Sequence, residues 1–102
     1  MKLRILRETE AEIESARQYF NAQAFALGDR FLDDLEQTLE RIEAIPESFP
    51  GLETLPDSEP YRRALLKVFR YAVIFEVLAE EIVVVAIAHT SRKPNYWLKH
   101  RD

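Results

Sequence analysis

The chain has 102 residues, 47% of them apolar and 31% charged, with two Gly, five Pro and no Cys. That length makes residues 1–102 a single domain burying roughly 60–65% of its unfolded surface, and the missing cysteines exclude disulfides, thiolate catalysis and cysteine-based zinc sites. The net charge of −4 conceals two halves of opposite sign, with 6 Lys+Arg against 14 Asp+Glu from Met1 to Pro60 and 8 against 4 from Tyr61 to Asp102, so an anionic partner meets the second half while extensive nucleic-acid binding is disfavoured.

Lys2 to Leu6 alternates basic and apolar residues and predicts a short, half-buried strand. Thr9 followed by Glu12 has the spacing of a capping box. Ile13, Ala16, Phe20 and Ala24 then recur at helical spacing, which predicts a first helix from about Glu10 to Phe25. The pattern breaks around Gly28 and resumes with Phe31, Leu35, Leu39 and Ile42, widened by Leu32 and Ile45, until Pro46 forbids continuation. From Pro46 to Pro60 four prolines, Gly51 and several acids predict a loop. Tyr61 to Lys67, Tyr71 to Leu78 and Ile82 to Ala88 are rich in β-branched and aromatic residues. They predict three strands, the last two forming a hairpin across Ala79 to Glu81. Ile82 to Ala88 is apolar on both faces, as a central strand is. It is also the longest apolar run, far below the ~20 residues of a membrane helix. Met1 to Arg7 lacks a signal-peptide core, so the expected location is cytoplasmic, with no membrane partner. The tail from His89 to Asp102 is basic and aromatic. The order β-α-α-β-β-β predicts an α+β domain, a two-helix hairpin packed on a mainly antiparallel four-stranded sheet.

Three stretches carry a resemblance. They are Gly28-Asp29-Arg30-Phe31-Leu32-Asp33-Asp34-Leu35, the pair Tyr61-Arg62-Arg63-Ala64-Leu65-Leu66 with Tyr71-Ala72-Val73-Ile74-Phe75, and the ending Ala86-Ile87-Ala88-His89-Thr90-Ser91-Arg92-Lys93-Pro94-Asn95-Tyr96-Trp97. With the element order, they resemble the RelE/ParE toxin superfamily of type II toxin-antitoxin (plasmid stabilisation) systems, and its ParE-like branch in particular. The resemblance implies a cognate antitoxin whose disordered C-terminal segment folds over the toxin. It also implies one of two activities. ParE-like members poison DNA gyrase, a type II topoisomerase, by binding; RelE-like members cut messenger RNA on the ribosome. A third reading is a toxin-like interaction module without potency. None of these needs a small-molecule substrate.

RNA cleavage requires a base for the 2′-hydroxyl, cations for the phosphate and an acid for the leaving oxygen. By resemblance to RelE-like toxins, Lys67, Arg92 and either Tyr96 or His100 are the nearest matches. The set is thin, and binding is the leading reading. Arg92 can present its planar fork to phosphate or carboxylate, or pair with an acid of the helices. Arg62 and Arg63 point to opposite faces of their strand, so one meets solvent or a partner and the other an acid or the strand's end. His89 has a near-neutral pKa that suits a base. With no second histidine or carboxylate at ligand spacing, it is read first as fixing the tail to backbone. Tyr96 and Trp97 can stack on a partner or close the core, and Lys93 joins them as a target- or antitoxin-binding cation. Glu8, Glu10 and Glu14 suit the positive end of the first helix, and Glu12 its cap, so no metal is expected there. No cofactor is expected either. Stripes such as Leu32 with Leu39 and the edges of the small sheet exceed what 102 residues hide, which is a further reason to expect a clasping antitoxin.

Overall fold

The structure, a computed structural model, describes residues 1–55, 59–93 and 95–101, the side chains of His100 and Arg101 excepted. Strand β1 (Lys2–Ile5) leads into helix α1 (Arg7–Gln23), which is followed by helix α2 (Leu27–Ala44) and a 3₁₀ turn at Pro46–Ser48. Strands β2 (Tyr61–Leu65), β3 (Tyr71–Val77) and β4 (Glu81–His89) come next, and a second 3₁₀ turn covers Tyr96–Arg101. The sheet order is β1-β4-β3-β2. β1 runs parallel to β4, while β2–β3 and β3–β4 are antiparallel. The α+β order expected from the sequence is the one observed, and β4, apolar on both faces, occupies the middle.

Helix α1 starts three residues earlier than its sequence suggests, and without the capping box. Leu6 takes the cap position in an extended conformation with no side-chain cap. Its N–H donates to Val84 O and its carbonyl accepts from Glu10 N, so sheet and helix are joined at one residue. Thr9 lies inside the helix, wholly buried, with its hydroxyl unpartnered. Glu12 is used elsewhere, because the strand delivers the chain directly into the first turn. The break between the helices is also not at Gly28. It falls at Ala24 to Ala26, where Ala26 adopts a left-handed φ of 59° and Phe25, outside the helix, is fully exposed. Gly28 belongs to α2, where its N–H donates to Asn21 Oδ1 at 2.7 Å. A Cβ there would stand 2.3 Å from the Arg17 carbonyl oxygen, so the crossing of the hairpin requires glycine.

Phe31, Leu35 and Ile42 of α2 and Ala16 of α1 pack on Ala64, Val73, Phe75, Ile82, Val84 and Ile87 to form the main core. Leu32 and Leu39 are partly buried against this core and are not the exposed stripe that the sequence suggested. Ile45 caps the helix and stays 62% exposed. Among the described residues, exposed large apolar side chains include Tyr19, Phe25, Leu65 and Val68. No helix among the described residues is long and apolar enough to cross a membrane.

Strand β2 ends at Leu65, and Lys67 falls in the turn beyond it. The cause is Asp34, a buried carboxylate on the inward stripe of α2. Its Oδ1 accepts Lys67 N at 3.1 Å, and its Oδ2 accepts Val68 N and Phe69 N at 2.8 and 2.9 Å. Three amides that would otherwise lack partners are bound by one charge, which fixes the β2–β3 turn to the helix layer.

Two substitutions test these constraints. Asp34→Ala strands the turn amides and is expected to cost about 2–3 kcal/mol in urea unfolding. Gly28→Ala, despite the better helix propensity of alanine, is expected to cost about 1–3 kcal/mol by forcing the helices apart. An unchanged denaturation midpoint for either variant contradicts the corresponding contact.

Candidate binding site

The face of the sheet opposite the helices is covered by the loop after Gly51 and by the tail. Trp97 is buried against Tyr61, with ring centroids 4.7 Å apart, and packs in a second apolar cluster with Ala72, Ile74, Val83, Val85 and Ala86. Loop and tail meet where the Thr54 hydroxyl donates to Asn95 Oδ1 at 2.9 Å. Asn95 has a left-handed φ of 63°, a conformation asparagine tolerates well, and this turns the tail back onto the sheet.

A pocket of about 180 Å³ remains between loop, tail and sheet. The neighbours Ala72 and Ala88, paired across β3 and β4, leave its floor low, and Ile74 continues that floor beneath Arg63, its partner on β2. Arg63, Arg92, Lys93 and His89 line the pocket against one acid, Glu53. Arg92 lies with its guanidinium carbon 3.7 Å from the centroid of the Tyr96 ring, a cation–π contact that leaves the edges of the fork free for an anion. The Ser91 N–H donates to His89 Nδ1 at 3.1 Å, so in the neutral ring the proton sits on Nε2. The neutral imidazole is thus a donor at its outer nitrogen.

Tyr96 is held from below. Its hydroxyl donates to Glu12 Oε2 at 2.5 Å, and Glu12 Oε1 accepts Ile87 N at 3.1 Å. Burial, and then the hydrogen bond to Glu12 and its charge, push the Tyr96 pKa far above the usual phenol value; the nearby Arg92 charge opposes them weakly. The ring therefore stays a neutral phenol at any physiological pH.

The residues singled out in the sequence do not all meet here. Arg63, His89, Arg92, Lys93, Tyr96 and Trp97 share the pocket. Arg62 faces the other way and donates through Nη1 to Phe49 O at 2.6 Å, with a weaker contact of 3.4 Å to Glu47 O. Lys67 does not line the pocket; its backbone serves Asp34 and its side chain is exposed. The side chain of His100 lies outside the described residues. Trp97 is only 3% exposed and faces the core side of the pocket. Glu12, read from the sequence as a helix cap, and Asn95 were not among the site residues the sequence singled out. The signal for Glu12 was present, since it shares a helix face with buried Thr9 and Ala16, where a charge needs a partner. Among the described residues no group of three or more His, Asp or Glu side chains could hold a metal ion.

A family model described as the ParE toxin of type II toxin-antitoxin systems, parDE, matches residues 3–94. The chain belongs to this family. Its fold is similar to that of a solved structure, the chromosomal ParDE toxin-antitoxin system from P. aeruginosa, with a TM-score of 0.71 at 14% identity over 87% of this chain and 95% of that one. A search of the curated proteins gave no match. Within this ParE-family chain the match runs from β1 to the pocket and stops just before Asn95 and Tyr96, so the Glu12–Tyr96 contact ties the matched segment to the residues after it.

The raised pKa of Tyr96 has a consequence for stability. A group whose folded pKa exceeds its unfolded value of about 10 contributes stability below that value and loses it as pH rises. Tyr96→Phe is therefore expected to lower stability at neutral pH and to flatten the loss between about pH 10 and 12. Parallel alkaline limbs for the variant and the original chain, followed by thermal unfolding, would contradict the phenol–carboxylate contact.

Proposed function

We propose that this ParE-family toxin arrests growth by binding DNA gyrase, a type II topoisomerase, and that a cognate antitoxin encoded with it neutralises it in the cytoplasm. The observation that carries this reading is the chemistry of the pocket. Arg63, Arg92, Lys93 and the Nε2 of His89 all present donors, and the nearby phenol has its proton committed to Glu12. A site in which these donors outnumber the single carboxylate of Glu53 holds anions, whereas cleavage by a 2′-hydroxyl also needs proton transfer at the reacting oxygens, for which the ribonuclease reading offers Lys67, Tyr96 or His100. Of the other candidates from the ribonuclease reading, Lys67 stands outside the pocket and the side chain of His100 lies outside the described residues. The acidic first half also disfavours a long RNA track across the surface.

Expression of the chain without its antitoxin discriminates the readings. The expected outcome is growth arrest with DNA-damage signalling and accumulation of cleaved gyrase–DNA complexes, relieved by the antitoxin. Transcript cuts at ribosomal A sites would transfer the function to messenger RNA cleavage, and growth without any phenotype would reduce the chain to an interaction module.

A further inference from the structure

The cations of the pocket are unspent. Arg63 and Lys93 make no ion pair among the described residues, and Arg92 is engaged only through the face of its guanidinium. Below them the floor is apolar, formed by Ala72, Ile74 and Ala88. The volume of about 180 Å³ is well under the roughly 300–1,000 Å³ of small-molecule sites, so the space suits one side chain and its immediate neighbour. The surroundings select against a polyanion. Glu53 stands in the pocket wall, and Glu8 and Glu12 line the groove on the far side of Arg92. A phosphodiester strand, charged at every step, would cross these acids wherever it left the pocket, whereas a peptide carries its charge at one point.

We infer that this pocket is a receptor for a single carboxylate on the antitoxin, an acidic side chain or the chain end, set beside an apolar residue that rests on the alanine floor. The inference rests on the antitoxin partnership proposed above. Arg63 and Arg92 supply guanidinium donors to the carboxylate, Lys93 adds a point charge, and His89 offers its Nε2 proton. Neutralisation then places a carboxylate where an anionic group of the toxin's target would bind.

The test is a double-mutant cycle on the full-length toxin and its antitoxin, read by calorimetry and by the fluorescence of Trp97, the single tryptophan, which lines the pocket. On the toxin, Arg63→Gln and Lys93→Gln are made separately; both positions are exposed, so folding is retained and checked by thermal melting. On the antitoxin, each Asp or Glu is replaced by its amide in turn, and the chain end is extended by one glycine to displace its carboxylate. Arg63→Gln is expected to weaken the complex roughly ten- to hundredfold. One antitoxin change is expected to do the same, and the two effects combined should fall short of their product. Coupling to an amide replacement assigns a side-chain carboxylate, and coupling to the extension assigns the terminus. A complex that forms normally but binds both toxin variants within twofold of the original overturns the inference and leaves the toxin reading intact. Failure of the unaltered pair to associate overturns both. Saturable binding of a single-stranded RNA oligonucleotide that is lost in Arg63→Gln would assign the pocket to phosphate instead.

Discussion

The carboxylate of Glu12 joins three parts of the molecule that the hydrophobic core alone does not align. Strand β1 pairs with β4 only as far as Ile5 and Val84, because the chain turns into α1 at Arg7. Beyond Val84 no strand among the described residues pairs with that edge of β4, where the Ile87 N–H is partly buried. A backbone donor left unpaired there costs about 1–3 kcal/mol. Glu12 reaches down from the helix and accepts it, and its other oxygen accepts Tyr96. Helix, strand and tail are thereby set at fixed distances from one another. Arg92 then has a ring to stack on, and the pocket acquires its wall.

Asp34 performs the corresponding task at the other end of the helical layer. Each helix of the hairpin sends one inward carboxylate to backbone amides at a margin of the sheet, Glu12 toward the end of β4 and Asp34 toward the β2–β3 turn. Apolar packing between helices and sheet is tolerant of small slides, but a charged oxygen that accepts named amides is not. The mixed sheet thus keeps one registry beneath the hairpin. The pocket lies on the opposite face, with an inner side made rigid by the elements these acids fix.

Much of this was legible in the sequence, for definite reasons. The number and order of elements followed from hydrophobic period, and the central place of β4 from its two apolar faces. Element ends were less legible. Thr9 and Glu12 have the spacing of a cap, but local spacing does not reveal that Leu6 is already held by Val84, which moves the helix start to Arg7. Gly28 looked like a hinge because glycine commonly breaks helices, whereas its lack of a Cβ serves the approach of α1. Within the site, the cationic tail was visible as composition. Arg63 could be told from Arg62 only as one of two faces, since which face carries the pocket depends on the loop after Gly51. Lys67 was displaced from the candidate set by Asp34, a contact between residues 33 positions apart. The importance of Ala72 and Ala88 lies in what they leave empty, and a sequence does not mark a space.

The division of charge explains how an acidic protein can present a cationic site to a protein partner. At about 0.15 M salt, charges are screened over roughly 8 Å. A distant polyanion therefore responds to the acid-rich surface near it before it reaches the pocket, and is repelled by the helical half. A partner already docked by apolar contact is inside that distance. At contact, Arg63, Arg92 and Lys93 act across a small gap floored by alanine, where lower polarity strengthens each interaction. On the carboxylate-receptor reading proposed above, discrimination operates in two steps, with net charge excluding long anionic strands and local charge accepting a single anionic group. The two steps are compatible only because the tail is turned back by Asn95 and held through Tyr96, which keeps the cations on the side of the sheet away from most of the helical acids.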